Sequence, residues 1–203
     1  MLDQLRRFLE SPDHDDSFVR LDSFALDGHD ATLTLRVMSY DADQTWCIWE
    51  VCALGLRDFL VREPHGDLTV HSDHVLARQH TDRRVDLSFR GRPRSITELV
   101  GQLYLAHHRL VADWIPFDRY LNNQVDLESL IDGGYGKLAD GPEFLVAAYA
   151  AVLEPSGVSP SLLPARPAKW FDGRTWVETE AHLNTLVLGE SFFVAVEFEE
   201  RPA

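Results

Sequence analysis

The chain has 203 residues, of which 45% are hydrophobic and 26% are charged, a composition that supports one sizeable core and argues against disorder. The 33 acidic residues outnumber the 19 basic ones and give a formal net charge of -14, so we expect neither nucleic acid nor an anionic membrane as a direct ligand. The chain has neither an apolar run of the roughly 18 residues that a membrane span needs nor the apolar stretch of a secretory signal.

The first half of the chain predicts an antiparallel meander that follows a short amphipathic helix. Apolar residues at helical spacing predict the helix over residues 2–10. Asp27-Gly28 is a dipeptide favoured in tight hairpins, because both turn positions need a positive φ. The strands predicted from alternation or from short apolar runs occupy residues 18–26, 31–38, 45–54, 56–61, 68–70 and 85–89.

Two cysteines lie on the strand predicted over residues 45–54. Cys47 and Cys52 are five positions apart, and side chains at that spacing point to opposite faces of a regular strand, so we expect them not to bridge. Free thiols are typical of a reducing compartment. The sequence therefore predicts a cytoplasmic protein.

The middle of the chain predicts helices. Ser95 and Glu98 have the spacing of a capping box, and the apolar stripe behind them stops near Pro116. Shorter helices are predicted at 126–131 and 142–153. The glycine-rich segment 133–137 follows a helix and lacks Ser or Thr after its lysine, so it is interpreted as a helix end and turn, not as a phosphate-binding loop.

The C-terminal part predicts a stiff proline-rich connector and then hairpins, one of them around Asp172-Gly173. The order of strands, helices and strands predicts one α+β domain over residues 1–203. In it, an antiparallel sheet built from the N-terminal half and the C-terminal hairpins carries the central helical segment. The predicted parts are strand-rich 17–90, helical 95–154, connector 155–167 and hairpins 168–199.

The acidic surplus is concentrated between residues 113 and 163, a segment that contains eight acidic residues but only one arginine and one lysine. Aromatic residues interleave with these acids. Aromatic anchors inside an acidic rim are typical of a protein interface, although a solvated acidic face over core aromatics has the same pattern. The predicted partner-binding residues are Asp113, Trp114, Phe117, Asp118, Tyr120, Asp126, Glu128, Asp132 and Tyr135.

Two other clusters offer alternatives. A histidine-rich segment has side chains that zinc accepts, although the extended strand predicted beside it would point His71 and His74 apart. Its candidate metal ligands are His71, Asp73, His74 and His80. A basic island precedes the capped helix, where an anion is favoured, although these arginines could instead pair with surplus acids. Its candidate anion-binding residues are Arg90, Arg92 and Arg94.

No catalytic residue or cofactor is predicted. His107 lies on the apolar stripe of the central helix, and no Ser or Cys is placed by a nucleophile motif. We therefore expect a non-enzymatic bacterial domain that binds a basic partner protein in an immunity-like or regulatory role. The alternative is a metal-assisted enzyme or small-anion binder built on the two clusters above. Partner identity, oligomeric state and strand order stay open.

Overall fold

The structure of the protein is a computed structural model that describes residues 2–11, 17–39, 45–63, 65–179 and 182–202. The chain divides into two compact units. Unit 1 comprises Met1–Ala77, Trp170–Trp176 and Glu180–Ala203, and unit 2 comprises Arg78–Lys169 and Val177–Thr179. Each unit has its own sheets, and the organisation of the chain as one domain stays a prediction.

The elements of unit 1 are α1 (Asp3–Leu9), β1 (Ser17–Asp27), β2 (Asp30–Ser39), β3 (Thr45–Leu54), β4 (Asp58–Leu60), β5 (His65–Gly66), β6 (Leu68–His71), β12 (Asn184–Leu188), β13 (Ser191–Ala195) and β14 (Glu197–Pro202). The strands form a five-stranded antiparallel sheet in the order β14-β3-β2-β1-β5 and a four-stranded one in the order β4-β13-β12-β6. The hairpin of β1 and β2 turns at Gly28, which has a φ of 63°, as the Asp-Gly dipeptide predicts.

The core of unit 1 joins the two ends of the chain. Alternate residues of β2, among them Leu33 and Leu35, are fully buried, and they belong to one cluster with Phe193 of β13 and Phe198 of β14. Strand β14 also pairs with β3 in the first sheet. The C-terminal strands therefore complete the core of the N-terminal half. Cys47 and Cys52 are both free thiols on β3, as predicted.

The elements of unit 2 are β7 (Arg84–Arg90), α3 (Ile96–Val111), α4 (Leu127–Gly133), β8 (Tyr135–Pro142), α5 (Glu143–Leu153) and β9 (Ser159–Leu162). Its three strands form an antiparallel sheet in the order β8-β7-β9, and α5 packs on β7 and β8 and against α3. Helix α2 (Val75–Thr81) and the hairpin of β10 (Lys169–Phe171) and β11 (Trp176–Glu178) lie at the chain boundaries of the units. The α+β class is confirmed. None of the helices in the described ranges is long and apolar enough to cross a membrane.

Several element boundaries differ from the sequence prediction. The alternation of apolar residues predicts one strand over residues 191–198, but this segment is interrupted at Val196, so that β13 and β14 enter different sheets. Strand β9 lies within the predicted proline-rich connector, and its Pro160 is tolerated because β9 is an edge strand of its sheet. Helix α2 was not predicted, because seven residues carry too short an apolar period to separate a helix from a strand.

Candidate functional site

Helix α3 is the scaffold of the candidate partner-binding segment. Its N-cap is Ser95, whose hydroxyl oxygen accepts a hydrogen bond from the Glu98 backbone N–H at 3.3 Å, which confirms the predicted cap. The helix ends at Val111, earlier than the predicted stop near Pro116, because Ala112 takes a positive φ of 47°. The chain therefore leaves the helix before Asp113 and forms a separate loop over residues 112–118.

His107 anchors that loop to the interior of unit 2. Its side chain is buried, with Nε2 at 2.6 Å from the Ile115 carbonyl oxygen and Nδ1 at 2.7 Å from the Tyr149 hydroxyl. Because a carbonyl only accepts, Nε2 carries the proton, and in the neutral imidazole Nδ1 accepts from the Tyr149 hydroxyl. Both ring nitrogens are satisfied in this tautomer.

Burial keeps this pair in its uncharged form. It lowers the pKa of His107 below the usual value, and the hydrogen bond to Ile115 offsets only part of that effect. Burial also raises the pKa of Tyr149, so its hydroxyl remains protonated and able to donate. His107 is thus a structural anchor that sets where the acidic loop lies.

Four exposed carboxylates lie on the loop after α3 and on α4, and the helices α3 and α4 pack together. We call them the acidic surface; its members are Asp113, Asp118, Glu128 and Asp132. The side chain of Asp113 is 93% exposed and lies 3.7 Å from His108 Nδ1. Within the described ranges, none of the four forms an ion pair with Lys or Arg. Their charge is therefore directed to solvent.

The predicted aromatic anchors differ in exposure. Tyr135 is 75% exposed, whereas Trp114 and Phe117 are half-buried. The ring of Phe117 lies 5.5 Å, centroid to centroid, from both His107 and Tyr104, and Tyr104 is itself 47% exposed. An aromatic cluster therefore adjoins the acidic loop at its helical end.

Two other predicted contact residues serve the interior or the backbone. Tyr120 is buried, and its hydroxyl donates to Gln79 Oε1 at 2.9 Å. The Asp126 carboxylate accepts from the Ser129 backbone N–H at 3.0 Å and caps α4. We therefore leave both out of the acidic surface.

The basic island lies beside the end of α4. Arg90 ends β7 opposite Tyr135, and the backbone N–H of Gly91 donates to the Gly134 carbonyl at 2.8 Å. Arg92 packs over Gly134, where a Cβ would come within 3.1 Å of its Cγ. Within the part of the chain that is described, the guanidinium groups of Arg90, Arg92 and Arg94 form no ion pair, so the expected pairing with surplus acids is absent there. The island therefore lies against the turn that ends α4, two residues after Asp132.

The candidate metal ligands lie on two elements. His71 ends β6, and its ring is 5.3 Å from that of His74, just before α2. His71 Nε2 is 2.9 Å from Thr69 Oγ1, and His74 Nδ1 accepts from the Leu76 backbone N–H at 3.3 Å. His80 belongs to α2. Among the described residues, no three His, Cys, Asp or Glu side chains are grouped so that they could hold a metal ion.

Unit 2 also contains a polar pocket of about 580 Å³ that the sequence analysis did not predict. Residues 120–122 follow the free edge of β8: the Asp140 backbone N–H donates to the Tyr120 carbonyl at 2.9 Å, and that of Asn122 donates to the Leu138 carbonyl at 2.8 Å. This added edge forms one wall, and β8 forms the other. The sequence does not predict the pocket, because segment 133–137 is interpreted as a helix end and turn and no strand is predicted over residues 135–142.

A network of opposite charges surrounds the β8 wall, and three of its members, Arg84, Lys137 and Asp140, line the pocket. Asp86 of β7 and Asp140 of β8 are direct neighbours across the ladder, an arrangement that repels unless cations intervene. Lys137 Nζ bridges them, at 2.9 Å from Asp86 Oδ1 and 3.0 Å from Asp140 Oδ2. Arg84 and Arg166 complete the network around Asp140, at 3.3 and 3.6 Å. Burial opposes ionisation of Asp140, but the hydrogen bond from Lys137 and the charges of Lys137 and Arg84 help to outweigh it, and the pKa of Asp140 is lowered.

We expect Lys137→Met to lower the free energy of unfolding at pH 7 by about 1–2 kcal/mol, because it leaves two facing carboxylates less well compensated. The difference from wild type should begin to shrink below about pH 4, where the unfolded chain takes up a proton before folded Asp140 does, and should be lost as the pH falls through the lowered pKa of Asp140. Urea unfolding at pH 7 and pH 3 measures both effects.

The control is Lys169→Met at the chain's other lysine, which is exposed and forms no ion pair among the described residues. Equal stability of the two variants at pH 7, or a Lys137→Met deficit that persists undiminished at pH 3, would contradict this interpretation of the network.

Compared with protein-family models, with curated proteins and with solved structures, the chain shows no significant match.

Proposed function

We propose that this protein is a non-enzymatic binding domain whose acidic surface recognises a basic partner protein. Charge steers association and aromatic side chains supply burial once contact is made. The proposed contact residues are the four carboxylates of the acidic surface together with Phe117 and Tyr135, and Trp114 supports them from a half-buried position.

One observation carries the proposal. Residues 113–135 contain five acids and a single cation, Arg119, and the four carboxylates of the acidic surface have no Lys or Arg partner among the described residues. Uncompensated exposed carboxylates destabilise a compact chain by self-repulsion, and a cationic partner would relieve that repulsion on binding. Phe117 and Tyr135 belong to this segment, and the exposed Tyr104 of α3 contacts Phe117, so aromatic side chains offer apolar area there.

The proposed setting is the bacterial cytoplasm, and the proposed role is immunity-like or regulatory. The free thiols of Cys47 and Cys52 suit a reducing compartment. A protein that neutralises or regulates a basic partner needs fast, charge-steered association more than chemistry of its own.

The proposal predicts a basic partner whose binding weakens as the salt concentration rises. Affinity capture with the full chain from native lysate at about 50 mM and about 500 mM salt should recover a basic protein at low salt and lose most of it at high salt, because screening shortens the reach of the carboxylates. Recovery of no basic protein at low salt, or of one held equally at both salt concentrations, would count against charge-steered binding.

A further inference from the structure

The pocket between β8 and residues 120–124 differs from the acidic surface in its position and in the sign of its charge. Its volume of about 580 Å³ lies in the range that small-molecule sites occupy. It is lined mostly by polar and charged groups, so an apolar ligand would not suit it. Its floor is the buried ring of Tyr120, which lies against β8 at Gly141, where a Cβ would come within 2.9 Å of Tyr120 Cγ.

The local charge is positive although the chain as a whole is negative. In the network on the β8 wall, three cations (Arg84, Lys137 and Arg166) face the two carboxylates of Asp86 and Asp140. The opposite wall adds Arg119. Its guanidinium is exposed and, within the described ranges, makes neither an ion pair nor a side-chain hydrogen bond. The pocket thus carries surplus positive charge, and the Arg119 guanidinium forms no ion pair with the described residues.

Three side-chain amides, those of Asn122, Asn123 and Gln124, lie at the pocket, and they have different roles. Asn122 builds the wall: its Nδ2 donates to the Lys137 carbonyl at 2.9 Å, and its Oδ1 accepts from the Gln124 backbone N–H at 3.0 Å. The side chains of Asn123 and Gln124 line the pocket and form no hydrogen bond with other described residues. They therefore offer donors and acceptors to a ligand.

We propose that this pocket binds a small organic anion that carries further hydrogen-bonding groups, of the size of a sugar phosphate or a tricarboxylate. Arg119 meets the anionic group with charge-assisted hydrogen bonds, and Asn123 and Gln124 meet hydroxyl or carbonyl groups beside it. A long polyanion is disfavoured because its charge reaches the acidic remainder of the chain, whereas a small anion within a screening length of about 8 Å experiences mainly the local surplus.

The test uses the full chain with glucose 6-phosphate and citrate as anionic probes and glucose as the uncharged probe. Calorimetry and amide chemical-shift mapping should show binding of at least one anion, with shifts at residues 119–124 and 137–140, and no saturable binding of glucose. Whether the phosphate ester, the carboxylate or both bind identifies the preferred anionic group. The proposal would be overturned if neither anion bound at about 10 mM, or if glucose bound as tightly as the anions.

Matched variants locate the site. Arg119→Gln should weaken binding of the anion at least about tenfold, the loss expected for a charge-assisted contact, and Asn123→Ala should weaken it several-fold. Arg109→Gln removes the same charge from the exposed face of α3, outside the pocket lining, and should change the affinity less than about twofold. Equal losses in Arg119→Gln and Arg109→Gln would show that net charge, not the pocket, governs binding. Because Arg119→Gln makes the chain more acidic, it should not weaken binding of the basic partner protein. The anion-binding proposal and the partner-binding proposal can therefore be disproved independently.

Discussion

Replacing His107 with Leu is expected to lower the free energy of unfolding by about 3 kcal/mol. The substitution leaves two buried polar groups, the Ile115 carbonyl and the Tyr149 hydroxyl, without the partners at 2.6 and 2.7 Å that they have in the native protein, and each unsatisfied group costs about 1–3 kcal/mol. Tyr149→Phe removes only the hydroxyl and leaves His107 Nδ1 without its donor, so we expect a smaller loss of about 1–2 kcal/mol.

The same network predicts a dependence on pH. The pKa of His107 is lowered by burial in the folded protein, so between that value and about 6.5 the unfolded chain binds a proton that the folded chain does not. The stability contributed by neutral His107 is therefore present above about pH 6.5 and is lost as the pH falls below it. In His107→Leu the free energy of unfolding should therefore fall less steeply as the pH is lowered. The decline due to His74 should remain, because burial lowers the pKa of that histidine as well.

Chemical unfolding at pH 7.5 and pH 5.5 measures these effects, with His108→Leu as the control. His108 is the adjacent residue on α3 but is about half exposed, and among the described residues its only contact with a carboxylate is the long one of 3.7 Å with Asp113, so its replacement should cost under about 0.5 kcal/mol. Hydrogen exchange should rise at residues 112–118 in His107→Leu and not in His108→Leu. Equal costs for the two variants would show that His107 does not anchor the loop.

The parts of the fold that were predictable have strong local patterns. Strand β2 alternates apolar and polar side chains along its length, and the structure buries its apolar face completely at Leu33 and Leu35. Helix α3 combines a side-chain cap at Ser95 with a continuous apolar stripe. In these elements the local pattern and the tertiary burial favour the same conformation, so the sequence is sufficient.

The parts that were missed depend on contacts between distant residues. Strand β8 contains Gly136, Gly141 and Pro142, which individually favour turns, and it is a strand because it pairs with β7. The polar pocket follows from that pairing, since Lys137 reaches Asp86 only across the ladder. For the acidic segment, sequence showed where the acids are. It could not show that Tyr120 is buried or that Asp126 caps a helix, because both depend on the folded chain.

Neutralising the acidic surface should slow association with a cationic partner about tenfold at low salt. The change is Asp113→Asn, Asp118→Asn, Glu128→Gln and Asp132→Asn in one chain, which removes four exposed charges that no Lys or Arg compensates among the described residues. Charge steering raises association rates by factors of 10 to 10³, so loss of the attracting charges acts mainly on the association rate constant and less on dissociation.

The control removes the same number of charges from unit 1, where exposed carboxylates lie outside the proposed surface. It combines Asp27→Asn, Asp67→Asn, Glu190→Gln and Glu197→Gln. The two variants have equal net charge, so any difference between them reports the position of the carboxylates and not their number.

The most direct measurement of the central claim is the association rate constant of an oligolysine peptide with wild type and both variants, at about 0.1 M and about 0.5 M salt. At the lower salt, where screening acts over about 10 Å, the variant of the acidic surface should associate about tenfold more slowly and the unit 1 variant less than about twofold more slowly. At the higher salt the three proteins should converge. Equal slowing of both variants at low salt would contradict the claim that residues 113–132 form the site that attracts a basic partner.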